Sequence, residues 1–174
     1  LPLDDVRPLE KRHVVGGSGV LAELTGPALS LRDHAILMIV LSDNTATNVL
    51  VNRVGTRRID ERLTALGLKS TKIFRPTFRD GKPDIHPELE KEFGLGMSTP
   101  REMARLMAMT AFPSAGIQVG NKTGTDSEKL ADPAGHRGAI RADAAIVEGG
   151  GAHYVVAVFT RRGKDTQGGV DNAG

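Results

Sequence analysis

The hydrophobic pattern is helical over roughly the first two thirds of this chain and alternating over the last third. Residues 1–29 are rich in Gly, Pro and charge, and Glu10-Lys11-Arg12-His13 and Gly16-Gly17-Ser18-Gly19 read as loops. A helix then starts at Ser30, an N-cap with Asp33 in the capping-box position. Leu31, Ile36, Leu37, Ile39, Val40 and Leu41 make it apolar on most sides, which predicts a buried helix. A second helix follows Ser42-Asp43-Asn44, with Ala46, Val49, Leu50 and Val54 as its inward stripe and Gly55 at its end. A third runs from about Arg57 to Ala65, capped by Thr56 and stopped by Gly67. Residues 69–97 hold three prolines and little periodicity, and read as a long surface loop.

Thr99-Pro100-Arg101-Glu102 is a strong helix start, with Thr99 as cap and Glu102 closing a capping box. Met103, Leu106 and Met107 follow at helical spacing as core filling, and Phe112-Pro113 ends the helix. From Ile117 to Thr123 the pattern alternates as a strand. Ala139 to Val147 and Tyr154 to Thr160 make two more, joined by a hairpin at Gly149-Gly150-Gly151. Helices followed by antiparallel strands predict an α+β fold.

Composition narrows the possibilities. At 174 residues a single domain is expected, spanning residues 1–174. Aromatic residues are only 3%, so Leu, Ile, Val, Met and Ala must fill the core. A net charge of +2, with scattered basic residues, gives no footprint for a nucleic acid. The absence of cysteine excludes a disulfide framework and leaves the compartment open. The longest apolar stretch, Ala35 to Leu41, is too short to span a bilayer. No signal peptide is visible at Leu1-Pro2-Leu3, which reads as the interior of something longer. His13, His34, His136 and His153 have no ligand spacing to one another or to carboxylates, so no metal or other cofactor is implied.

Two triplets carry the chemistry: Ser42-Asp43-Asn44 and, far downstream, Lys122-Thr123-Gly124. Alone, the first is an ordinary helix cap and the second an ordinary strand end. Together they resemble the second and third motifs of the serine β-lactamase and penicillin-binding protein superfamily. Ser30-Leu31-Arg32-Asp33, Leu37-Met38-Ile39 and Ser42 through Asn48 are similar to class A β-lactamases nearly residue for residue. The likeness runs from about residue 16 to 172. The first motif, Ser-x-x-Lys, is missing, because no serine here has a lysine three positions on. The helical region that relatives carry before Lys-Thr-Gly is reduced to Ala111–Gly116. The resemblance thus implies an incomplete β-lactamase/transpeptidase-like domain, a helical region packed with an antiparallel sheet and a cleft between them.

The resemblance implies a role for each motif residue. The Ser42 hydroxyl relays a proton to the departing lactam nitrogen, and Asn44 hydrogen-bonds the substrate amide. Asp43 points inward and braces the turn. Lys122, Thr123 and Thr125 hold the substrate carboxylate, and Gly124 lets the substrate approach a strand edge. Arg141 stands where many relatives keep a carboxylate-binding arginine, although it also reads as a surface residue. The loop motif Glu-Pro-Glu-Leu-Asn, whose first glutamate activates the deacylating water, is closest to His86-Pro87-Glu88-Leu89-Glu90. His86, Glu88 and Glu90 are the candidates for that role, and read first as solvated loop residues. The expected substrate is a small β-lactam or a peptidoglycan-like peptide, and the expected location is periplasmic or extracellular. Three functions stay open: a β-lactam hydrolase working through an acyl-enzyme, a penicillin-binding or D-alanyl-D-alanine peptidase type that deacylates slowly, and a carboxylate-binding module without chemistry.

Overall fold

The computed structural model describes residues 2–109, 118–127, 138–149 and 152–163. Its helices are α1 (Leu31–Val40), α2 (Asn44–Val54), α3 (Thr56–Ala65), α4 (Pro87–Phe93) and α5 (Pro100–Ala108). Its strands are β1 (Val6–Pro8), β2 (Ala28–Ser30), β3 (Lys72–Ile73), β4 (Gly96–Met97), β5 (Gln118–Ser127), β6 (Ala139–Gly149) and β7 (Ala152–Gly163). Two short antiparallel pairs, β1–β2 and β3–β4, accompany the antiparallel sheet β5-β6-β7. The fold is α+β, as the periods predict.

Local chemistry explains most boundaries. Ser30 caps α1 in a full capping box: its hydroxyl accepts from the Asp33 amide at 3.1 Å, and the Asp33 carboxylate accepts from the Ser30 amide at 3.1 Å. Thr99 caps α5 with a 3.2 Å bond from the Glu102 amide. Glu102 does not close that box. Its carboxylate instead accepts from the Ser70 amide and the Thr71 hydroxyl, tying α5 to the chain before β3. The cap of α3 is Gly55 and not Thr56, whose hydroxyl donates to Asp84 at 3.1 Å. Gly67, at φ 78°, takes the left-handed turn that stops α3.

Three expectations are corrected. The helix α1 is not buried all round. Only Leu31 and His34 are buried, while Ile36, Ile39, Val40 and Leu41 are 52, 55, 71 and 42% exposed. Apolarity on every side does not say which side finds a neighbour. In α2 the buried line is Thr45, Ala46, Asn48 and Val51, displaced from the expected stripe because polar side chains there are bonded to loops. Residues 69–97 are not a surface loop. They contain β3, β4 and α4, and they bury Phe74, Arg75 and Pro76 completely. Gly96 permits the β3–β4 pairing, because a side chain there would collide with the Lys72 carbonyl.

The core is small and centred on Leu21, Leu31, Ala46, Val51, Leu68 and Phe74, with Ala144 buried in the sheet. The helix α5 packs against β6 and β7 with its apolar residues half-buried. Residues 110–117, which include the expected helix end, and Gly150-Gly151 of the expected hairpin lie outside the described residues. So does His136.

Candidate active site

The turn between α1 and α2 is built around a buried carboxylate. Asp43 is 1% exposed and accepts from the amides of Val20 at 2.7 Å, Leu21 at 2.9 Å and Ala46 at 2.8 Å. Burial pushes its carboxyl up, and the amides of Ala46, Leu21, Val20 and Thr45 outweigh burial and hold it below the usual carboxylate range. The glycine-rich segment straps over this turn. The Asn44 amide donates to the Ser18 carbonyl at 3.0 Å, Asn44 Nδ2 donates to the Gly16 carbonyl at 3.1 Å, and Ser18 Oγ donates to the Leu41 carbonyl at 3.0 Å. Gly19 sits at φ 104°, and a Cβ there would collide with the Asp43 carboxylate. Ser42 itself is left-handed, at φ 52°, a conformation that a non-glycine residue adopts only where its surroundings impose it. Tight strapping on both sides supplies that constraint.

Lys122 comes to this turn from the sheet. Its ammonium donates to Ser42 Oγ, and to the Thr123 carbonyl at 2.8 Å. Lys-Thr-Gly does not end the strand, as the sequence suggests, but lies in the middle of β5, which runs on to Ser127. Across the ladder Thr123 faces Asp143, Gly124 faces Ala142 and Thr125 faces Arg141. By the two-residue period of a strand, Thr123 and Thr125 share one face with Arg141 and Asp143, and Lys122 points to the other. Thr123, Gly124 and Thr125 are exposed, and Asn121 Nδ2 donates to the Asp143 carboxylate at 3.3 Å. Arg141 is half-buried within the sheet.

The loop candidates are occupied elsewhere. Glu90 is buried and accepts from Arg75 Nε at 2.9 Å and from the Gly81 amide at 3.3 Å. The Arg75 hydrogen bond, against the opposing effect of burial, holds its carboxyl below the usual range. Arg75 also pairs with Asp80 and donates to the Pro76 carbonyl at 3.2 Å. His86 lies 3.6 Å from Asp60 and 3.7 Å from Glu88, with its ring edge-on to Phe74. Asp60 in turn holds Lys72 at 2.6 Å.

A different part of the loop reaches α2. Asn48, 2% exposed, donates to the Thr77 carbonyl at 3.3 Å and accepts from the Thr77 amide at 2.7 Å. The next residue, Phe78, is left-handed at φ 55° and 61% exposed. A Cβ on Gly17 would lie 2.7 Å from Asn44 Nδ2 and 3.2 Å from the Phe78 ring, so this aromatic edge stands beside Asn44 across the glycine. Sequence reasoning missed Asn48, Thr77 and Phe78. The available signal was Asn48 itself, one helical turn after Asn44 on the same face and unexplained as a core residue. Among the described residues no group of three or more His, Asp or Glu side chains is placed to hold a metal ion.

The family model for the β-lactamase enzyme family matches residues 1–112, which contain the whole of the Ser42 turn and its straps. The chain belongs to the β-lactamase enzyme family. Solved structures extend the likeness through the sheet. A β-lactamase from Sphaerobacter thermophilus is 25% identical with a TM-score of 0.70, over 95% of this chain and 67% of that one. A chromosome-encoded β-lactamase mutant of Vibrio parahaemolyticus is 16% identical with a TM-score of 0.69, over 99% and 72%. A D-alanyl-D-alanine carboxypeptidase from Mycobacterium tuberculosis is 18% identical with a TM-score of 0.66, over 94% and 68%. Among curated proteins none matches the chain. The fold of this β-lactamase family member is therefore shared by β-lactamases and by a peptidase. No helix among its described residues is long and apolar enough to cross a membrane.

Proposed function

We propose that this chain is the substrate-binding and proton-relay part of a serine acyl-transferase acting on β-lactams. The single observation that supports this most is the Lys122 ammonium on Ser42 Oγ, two residues from separate motifs brought together by the fold. With the oxygen lone pair engaged by Lys122, the Ser42 O–H is free to point into the cleft and protonate the departing nitrogen. The nearby cation favours negative charge on Ser42 when that proton leaves. Asn44 presents a neutral amide to the substrate and Lys122 the charge for its carboxylate, with Thr123, Thr125 and Arg141, on the other face of β5, reaching that carboxylate only around the strand edge. The nucleophile comes from a Ser-x-x-Lys segment outside these 174 residues. The exposed Ile36, Ile39 and Val40, at helical spacing on α1 and leading into Leu41-Ser42, support a further element packed there. By family resemblance the complete protein works outside the cytoplasm.

A slow-deacylating, penicillin-binding type is the second reading. It is favoured by two contacts in the loop: Glu90 is bound to Arg75, and His86 lies beside Asp60. The test is mass spectrometry after exposure to benzylpenicillin. The chain alone should gain no covalent adduct. The same chain joined to a segment supplying Ser-x-x-Lys should gain one, and Lys122→Met should slow its formation by at least a hundredfold. An adduct on the chain alone that disappears in Ser42→Ala would overturn the assignment of Ser42 as a relay.

A further inference from the structure

The segment after β3 delivers one aromatic ring to the Ser42 turn and holds it there. The Asp84 amide donates to the Phe74 carbonyl at 2.8 Å, which closes the base of this segment, and the 2% exposed Arg75 fills its interior. Asn48 of α2 then grips Thr77 by both backbone groups. The residue that follows this clamp is Phe78.

Two features of Phe78 are unfavourable in themselves. It is 61% exposed, and its backbone is left-handed at φ 55°, a conformation that bulky residues rarely adopt. A single exposed apolar side chain needs no explanation, but one held on a strained backbone does. Among the described residues only Ser42, Phe78 and His86 are non-glycine residues at positive φ. Ser42 and Phe78 both adjoin Asn44, one along the chain and the other through space. Gly17, at φ 91°, keeps the gap between them open. A Cβ there would lie 2.7 Å from Asn44 Nδ2 and 3.2 Å from Cε2 and Cζ of Phe78, so the amide and the ring edge border the same small space.

We infer that Phe78 is a specificity-determining wall of the substrate site, against which the acyl group attached to the substrate amide lies. This rests on the reading of Asn44 as the residue that holds that amide. An aromatic acyl group then meets the Phe78 ring, an attraction beyond simple area burial. Because Asn48 already fixes the backbone under the ring, little further ordering is needed when the substrate arrives. The wall therefore selects aromatic acyl groups over small ones.

The test is an amide NMR titration of the full chain with two penicillins that share one nucleus and one amide. One carries a phenylacetamido group (benzylpenicillin) and the other an acetamido group. Saturable shifts at Ser42, Asn44 and Lys122 are expected with both, and the phenylacetamido form should bind at least about threefold tighter. Phe78→Asn removes the ring and suits a left-handed backbone, so it should melt no lower than the original chain. In that variant the gap should close to less than about twofold, and Phe78→Tyr, which keeps a ring, should preserve it. Equal affinities in the original chain, a gap that persists in Phe78→Asn, or loss of both probes together in that variant would overturn the wall and leave the proposed function standing. No saturable shift at Ser42, Asn44 or Lys122 with either penicillin would overturn that function and the wall with it.

Discussion

Asn48 holds Thr77 by both of its backbone groups, taking 2.7 Å from the amide and giving 3.3 Å to the carbonyl. A side chain thus does for the loop what a neighbouring strand does in a sheet, and fixes where Phe78 stands relative to Asn44. Asn48→Ala leaves both groups of Thr77 without their partner and should cost about 2–3 kcal/mol. Urea unfolding measures the loss. Hydrogen exchange at Thr77 should accelerate more than at Phe74, whose amide bonds the Leu95 carbonyl independently.

Two left-handed glycines separate backbone strain from collision. Gly19→Ala meets the Asp43 carboxylate and should destabilise by about 2–5 kcal/mol, disrupting the Ser42 turn. Gly26, at φ 61°, has open space around it, so Gly26→Ala should cost about 1–2 kcal/mol from backbone conformation alone. Thermal melts of the two variants compare them directly. Equal losses would mean that Gly19 is kept for its φ and not for its closeness to Asp43.

Acid should unfold the chain in two windows. Burial, Arg12 and His34 lower the His13 pKa from its ordinary 6.5, so the unfolded chain takes up that proton first. Stability therefore begins to fall gently as pH drops below about 6.5. Asp43, Glu90 and Glu102 are all held below their ordinary values. Their contribution is complete above the unfolded carboxylate range and is lost as pH falls through their lower folded values. Denaturant midpoints from pH 8 to 3 should show a shallow slope and then a steep one below about pH 4. His13→Gln should flatten the first part only.

Much of this architecture was legible because it is set locally. The Ser30 capping box, the glycine stop after α3 and the alternation of β5 to β7 depend on residues close in sequence. The adjacency of Ser42 and Lys122 was legible only through the family resemblance, since no local rule links residues in separate motifs. What could not be read is the interior of residues 69–97. Arg75, charged and beside a proline, reads as exposed. It is buried because Glu90 and Asp80 arrive from later in the chain to neutralise it. Likewise the sequence of α1 gives no sign of which apolar face stays uncovered, because that depends on what packs against it.

The same buried pair decides how mutations of the loop should be read. Glu90→Ala removes one carboxylate from a 2% exposed Arg75 that keeps Asp80, and losing that charge-assisted hydrogen bond costs about 1–3 kcal/mol. Its effect on any activity would therefore follow from a loosened loop. Glu88→Ala costs little structurally, since its side chain is 67% exposed, and His86→Ala costs about 1–2 kcal/mol, because the half-buried His86 holds a left-handed backbone at φ 51°. In a form supplied with the acylating serine, these two variants test whether the loop holds a deacylating base. A base must reach the water at the ester, and Asp60, Glu88 and Phe74 are the groups in contact with His86. We therefore expect His86→Ala and Glu88→Ala to change the lifetime of the penicilloyl adduct by less than twofold, measured by intact mass against time. The unmutated protein should already hold that adduct for many minutes. A tenfold longer lifetime in His86→Ala, with acylation unchanged, would assign the base to His86 and make the protein a true β-lactam hydrolase.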